Sequence, residues 1–213
     1  MNQVVVVDHG IGNLKSVQRG LEKVGATVEI TSESKKIESA SRLILPGVGA
    51  FEDGMRGLLD AGVIQAISAF IKSGNPLLGI CLGMQMLFER SEENGIHEGL
   101  GFISGSVQAI PSRKDQITVR KVPHIGWNTL KKPESGIWEN TLLSNSTENT
   151  SVYFVHSYMA VPQEQSHLVA VCDYEGLSIT AAVKKDNISG FQFHPEKSGE
   201  AGLKILDNFV HCE

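Results

Sequence analysis

Apolar residues in this chain come as short bursts and then at helical spacing, and through the first ninety positions the two patterns alternate. Residues 4–7 are four consecutive valines, the β-branched run expected of a parallel strand covered on both faces. After the glycine-rich turn Asp8-His9-Gly10-Ile11-Gly12-Asn13, Leu14, Val17, Leu21 and Val24 share one helical face. That spacing predicts a helix capped by Asn13 and ended by Gly25. The turn lacks the third glycine of a dinucleotide fingerprint, so it reads as a structural turn or a partner surface. Strands are predicted over 27–31, 42–46 and 76–80, and helices over 34–40, 51–59 and 63–73. Good helix formers fill 84–90 apart from Phe88, which predicts a further helix there. This β-α-β-α order implies an α/β fold with a parallel sheet and right-handed crossovers. In such a sheet the site belongs at the carboxyl ends of the strands.

From about Gly99 the pattern becomes strand-rich. Strands are predicted over 102–110, 116–119, 152–158, 168–174, 179–184 and 188–193, with a closing helix over 202–211. Residues 133–150 are polar and read as surface loop with a short helix around Trp138. No internal repeat or low-complexity linker interrupts the chain, and residues 1–213 read as one domain.

Composition narrows the function classes. A net charge of −5 with no basic block argues against nucleic acid as a partner. No apolar run is long enough to span a membrane. The start, Met1-Asn2-Gln3-Val4, lacks the basic region and cleavage site of a signal peptide and reads as a strand. Cys81, Cys172 and Cys212 are odd in number and carry no metal spacing, so neither a disulfide framework nor a metal is expected. A reducing cytoplasm is the expected location.

The chemistry gathers around Gly79-Ile80-Cys81-Leu82-Gly83-Met84-Gln85. A cysteine on a sharp strand-to-helix turn projects its sulfur above the sheet edge, over a helix N-terminus that favours thiolate. Gly79 and Gly83 remove bulk from both sides of that turn. This is the nucleophile-elbow arrangement with sulfur in place of oxygen. Such a nucleophile needs a base, and the base an orienting group. Phe191-Gln192-Phe193-His194-Pro195-Glu196 supplies both: Pro195 stops the strand and lets Glu196 turn back toward the His194 imidazole. Gly47-Val48-Gly49 follows another strand end, where glycines let backbone N–H groups approach an oxyanion closely. Gln85 lies one helical turn beyond Cys81 on the same face. His124 and His156 stand in apolar company; either could be a second base, and the default reading is a satisfied structural histidine.

Gly-Ile-Cys-Leu-Gly-Met-Gln together with Phe-His-Pro-Glu resembles the class I (triad) glutamine amidotransferases. Residues 46–51, 122–128, 153–158 and 10–17 narrow the resemblance to the glutaminase subunits of imidazole glycerol phosphate synthases, in family order over nearly the whole chain. The resemblance implies a flavodoxin-like α/β core and hydrolysis of L-glutamine by Cys81, His194 and Glu196, with no cofactor. It implies oxyanion and substrate contacts from Gly47, Val48, Gly49, Leu82, Gln85, His156 and Ser157. It also implies a heterodimer with a cyclase subunit of (β/α)8 fold, which uses the ammonia to make imidazole glycerol phosphate and aminoimidazole carboxamide ribotide in histidine biosynthesis. Asn13, Trp127 and Lys197 match positions at that interface and the ammonia passage. His9 departs from the family's usual tyrosine, which puts interface detail in doubt. The alternative is a paralogous amidotransferase feeding another synthase, such as one that modifies surface amino sugars.

Overall fold

The structure, a computed structural model, describes residues 2–113, 119–134 and 137–211. Its first half alternates strand and helix: β1 (Gln3–Val7), α1 (Leu14–Lys23), β2 (Thr27–Thr31), α2 (Ser34–Glu38), β3 (Leu43–Gly47), α3 (Phe51–Asp60), α4 (Ile64–Lys72), β4 (Leu77–Cys81) and α5 (Leu82–Met86). The second half is mostly strand: β5 (Phe88–Ser91), β6 (His97–Glu98), β7 (Ile103–Ala109), β8 (His124–Thr129), β9 (Ser151–His156), β10 (Tyr158–Pro162), β11 (Leu168–Tyr174), β12 (Leu177–Lys185) and β13 (Ile188–Phe191), before α6 (Gly199–His211).

The main sheet runs β2-β1-β3-β4-β13-β12-β11. Its first five strands are parallel, in the order of a flavodoxin-like sheet, and β12 turns against them. The valine run shows why both faces are covered. Val4 and Val6 enter one core with Val17 and Leu21 of α1 and Leu206 and Phe209 of α6. Val5 and Val7 enter the other with Phe51 and Leu58 of α3 and Ile67 and Phe70 of α4. Each such side chain, fully buried, stabilises the fold by about 1.5–3 kcal/mol. No single helix among the described residues is long and apolar enough to cross a membrane.

The expected elements through β4 are all present, and several expectations differ beyond it. The helix expected over 84–90 ends at Met86. Phe88, fully buried, begins β5 instead and pairs with Ile103 of β7. Burial of that ring outweighs the helix propensity of its neighbours. The strand expected over 152–158 breaks at Ser157 into β9 and β10, which join different sheets. Among the described residues, no helix forms around Trp138. Its indole sinks into the core and donates to the Val169 carbonyl at 2.9 Å, and Leu142 and Leu143 bury with it. β8 was not foreseen as a strand. Of the strand expected over 116–119, residues 116–118 lie outside the described residues, and Val119 bridges to Arg113.

Candidate active site

β4 ends in Cys81 and α5 begins at Leu82, so no residue separates strand from helix. Cys81 adopts φ 55° and ψ −112°, a backbone region that costs about 1–3 kcal/mol for a residue with a side chain. The flanking glycines serve close approach. A Cβ on Gly79 would lie 2.8 Å from the Met84 backbone, and one on Gly83 would collide with the Leu45 carbonyl oxygen of β3. α5 has only five residues, so the dipole beneath the sulfur is shorter than the sequence pattern suggests.

The other side chains arrive through sheet pairing. β13 lies parallel to β4, with Gly190 opposite Gly79 and Phe191 opposite Ile80. Past its end, His194 is held by its own N–H on the Tyr153 carbonyl at 2.9 Å and by the Ser198 hydroxyl on its carbonyl at 2.6 Å. Pro195 opens a 3-10 turn, Pro195–Lys197, that folds Glu196 back. His194 Nδ1 donates to Glu196 Oε1 at 2.8 Å, with both side chains at most 2% exposed. Burial pushes the imidazole toward its neutral form. The Cys81 sulfur and the Glu196 carboxylate more than offset this and raise its pKa to about 9. A cationic imidazole at neutral pH is the state that favours a neighbouring thiolate. His194 Nε2 itself makes no hydrogen bond of ordinary geometry; in sites without substrate, catalytic hydrogen bonds are often long.

Cys81 opens onto a cleft of about 280 Å³. Val48, Gly49, Leu82, Gln85, His156, Ser157 and His194 line it, all of them expected at the site. Gly47 does not line it but pairs with Cys81 across β3 and β4, placing the following loop beside the nucleophile. Gly49 takes φ 94°, in the left-handed region that glycine tolerates. A larger depression, about 650 Å³, lies by Gly74, Asn75 and Asn187 at the opposite ends of the strands and has no cysteine in its lining. Among the described residues, no group of three or more His, Cys, Asp or Glu side chains could hold a metal ion.

Beneath the cleft lies a chain of hydrogen bonds that fixes its own polarity. His156 Nδ1 donates to the Tyr158 carbonyl at 2.7 Å, so its Nε2 accepts from His124 Nδ1 at 2.9 Å. Burial lowers the pKa of His124 to about 4. Burial also lowers that of His156, to about 3, outweighing the Tyr158 bond and aided by the charges of His124 and His194. Both rings are therefore neutral structural members. Gln85 joins the same carbonyl: its Nε2 donates to Tyr158 at 3.2 Å and to Gln192 Oε1 at 2.9 Å. Its amide hydrogens are thus committed to protein. Gln192 was not foreseen as a site residue. The signal was available, since it is a polar residue between two core phenylalanines directly ahead of His194. Glu93, which also lines the cleft, was missed too. It lies outside every sequence motif, and its carboxylate accepts the Phe51 N–H at 2.7 Å at the start of α3.

Asn13 sits at the N-cap of α1, but its side chain makes no capping hydrogen bond and is exposed. Lys197 is exposed, and Trp127 is 58% exposed above Gly199. His9, matched to an interface position, is instead buried. Its Nε2 donates to the Pro46 carbonyl at 2.8 Å, just ahead of the Gly47-Val48-Gly49 loop.

Residues 5–212 match the family described as Glutamine amidotransferase class-I. A Legionella pneumophila (strain Lens) protein named imidazole glycerol phosphate synthase subunit HisH 1 is 49% identical over 211 residues, covering 99% of each chain. A Syntrophotalea carbinolica protein named imidazole glycerol phosphate synthase subunit HisH is 46% identical, covering 97% of this chain and 98% of its own. Among solved structures, a glutamine amidotransferase superposes with a TM-score of 0.70 at 15% identity over 97% of both chains. PurLQS from Thermotoga maritima gives 0.69 at 19% identity, covering 98% of this chain and 96% of that one. Those two establish the fold, and the sequence matches, nearly end to end, establish more: the chain belongs to the class-I glutamine amidotransferase family.

Proposed function

We propose that this chain is the glutaminase subunit of an imidazole glycerol phosphate synthase, and that it hydrolyses L-glutamine and hands the ammonia to a cyclase subunit. The observation that carries the reading is the buried His194–Glu196 pair at 2.8 Å, set beside a cysteine on a strained elbow. The thiolate of Cys81 attacks the side-chain amide carbon of glutamine. The C–N bond breaks, His194 gives its proton to the departing nitrogen, and ammonia leaves a γ-glutamyl thioester. His194 then takes a proton from water, whose oxygen attacks the same carbon. The C–S bond breaks, sulfur leaves with the electron pair, and glutamate is released. Glu196 orients the imidazole and stabilises its cation. Backbone N–H groups near Gly49 and Leu82 hold the oxyanion in both steps. Gln85, together with His156 and Ser157 chiefly through their backbone groups, positions the substrate. These steps need no electron or group carrier.

The ammonia has no second catalytic set to meet among the described residues. It passes to a cyclase of (β/α)8 fold, in a heterodimer that forms imidazole glycerol phosphate and aminoimidazole carboxamide ribotide in histidine biosynthesis. Asn13, Trp127 and Lys197 supply the interface. Asn13 and Lys197 follow the carboxyl ends of β1 and β13, the sheet edge that also carries Cys81. The chain acts as a single amidotransferase domain in the cytoplasm, where a reducing environment keeps the thiol free. A paralogue serving another synthase is not favoured, because the relatives at 43–49% identity bear the imidazole glycerol phosphate synthase name.

Replacing the nucleophile tests this. In the complex, Cys81→Ala abolishes synthesis from glutamine, while synthesis from added ammonium salt continues on the other chain. Glutamine turnover that persists in the variant would overturn the assignment.

A further inference from the structure

Gln192 is fully buried, and its amide nitrogen lies 3.7 Å from the Cys81 sulfur. Which end of an amide faces a neighbour is usually assigned rather than observed. Here the surroundings decide it. The Tyr158 carbonyl can only accept, so the amide that meets it at 3.2 Å, from Gln85, presents its NH2 end. That same NH2 lies 2.9 Å from Gln192, whose oxygen must therefore face it. The Gln192 NH2 is left pointing at the sulfur. The carbonyl that starts this chain is itself held by His156 Nδ1 at 2.7 Å, so the whole relay is braced against β10.

We propose that Gln192 is a further catalytic residue, whose amide N–H donates to the Cys81 sulfur whenever that sulfur carries negative charge, with Gln85 as the positioning residue that keeps the donor end turned toward it. Charge develops there twice: on the thiolate before attack, and on the sulfur as the thioester C–S bond breaks. Hydrogen bonds to an ionised acceptor are roughly twice as strong as neutral ones, and more so where water is excluded. His194 acts on the same sulfur but surrenders its proton to the leaving nitrogen. Gln192 keeps its protons throughout, so its donation to the charged sulfur does not depend on the proton that His194 gives up and regains. The Val155 carbonyl, 3.9 Å away, accepts from the thiol and so serves only the protonated form.

The inference deepens the reading of Cys81 as nucleophile, and its test reads the thiol with no glutamine present, so the two fail separately. The full chain is treated with iodoacetamide across a pH series, and modification at the Cys81 peptide is followed by mass spectrometry. Cys172 does not compete, because it is buried and its thiol is pushed up to about 12. Gln192→Met keeps the bulk and removes the donor. Its Cys81 modification profile moves to higher pH by about one unit, the shift worth one charge-assisted hydrogen bond. Gln192→Glu, nearly identical in shape, covers the case in which the methionine fails to fold, and moves the profile in the same direction. In the complex, kcat for glutamine falls about tenfold in both variants while KM stays within about twofold. Folded variants whose modification profiles coincide with that of the unsubstituted chain would overturn the proposal and leave Gln192 a packing residue.

Discussion

At the scale of single residues, the His194–Glu196 pair controls both turnover and alkaline stability. Glu196 acts on an imidazole that stays charged only while its partners remain, so its worth is greatest when His194 is cationic. Glu196→Gln preserves shape but removes the charge, and lowers kcat by about a hundredfold or more with little change in KM. Steady-state kinetics on the complex check this, and a loss in KM alone would make Glu196 a binding residue. The pH dependence follows from the raised pKa of His194, about 9 against 6.5 for an ordinary histidine. The folded chain holds this proton more tightly than the unfolded chain. The stabilisation is complete below about pH 6.5 and is lost as pH rises through 9. Thermal melts between pH 7 and 10 therefore fall more steeply for the unsubstituted chain than for Glu196→Gln. His124 and His156 act in the opposite sense, with pKa values lowered to about 4 and 3. Their contribution is present above about 6.5 and is lost as pH falls toward those values.

At the scale of elements, the junction of β4 and α5 depends on contact with β3. A methyl group on Gly83 would strike the Leu45 backbone, which cannot move without disturbing the sheet. Gly83→Ala is expected to destabilise the chain by about 3 kcal/mol and lower the Tm by roughly 10 °C, measurable by calorimetry. A wild-type Tm would mean that β3 and α5 can separate at no cost. This junction was legible before the fold was known, because its glycine spacing serves one local purpose. The Phe-His-Pro-Glu turn was legible for the same reason, since proline and its neighbours set the geometry within a few residues. Longer-range choices were not. Phe88 joins β5 because β7 waits beside it, and Ser157 breaks a strand because its two halves serve different sheets. β8 escaped because Gly126, at φ 133°, interrupts the alternation that marks a strand. Trp138 was read as surface, although its ring fills a core that only β11 completes. Gln192, one residue past β13, stood out as a polar residue between two phenylalanines, but its role depends on Cys81 lying beside it, which only the pairing of β13 with β4 reveals.

At the scale of the whole molecule, the exposed apolar residues include Ile125 and Trp127, at 57% and 58% exposure on alternate positions of β8. Trp127 is only edge-packed, with its ring 6.1 Å from that of Tyr153. Removing so exposed a side chain leaves the fold intact and, in the proposed heterodimer, subtracts an aromatic anchor from the contact with the cyclase. Trp127→Ala therefore raises the Kd of the complex about tenfold or more, with an unchanged melting curve for the isolated chain. Calorimetric titration that finds equal affinities would move the interface elsewhere. The neighbouring positions of β4 and β13 carry a different consequence, one that concerns synthesis on the ribosome. The nucleophile is translated well ahead of its base, and the two are brought together by the parallel pairing of β13 with β4. A polypeptide cut short before residue 194 therefore has the thiol without the base that serves it. Ammonia release needs the chain through Glu196, and a fragment that stops short of it cannot squander the cell's glutamine.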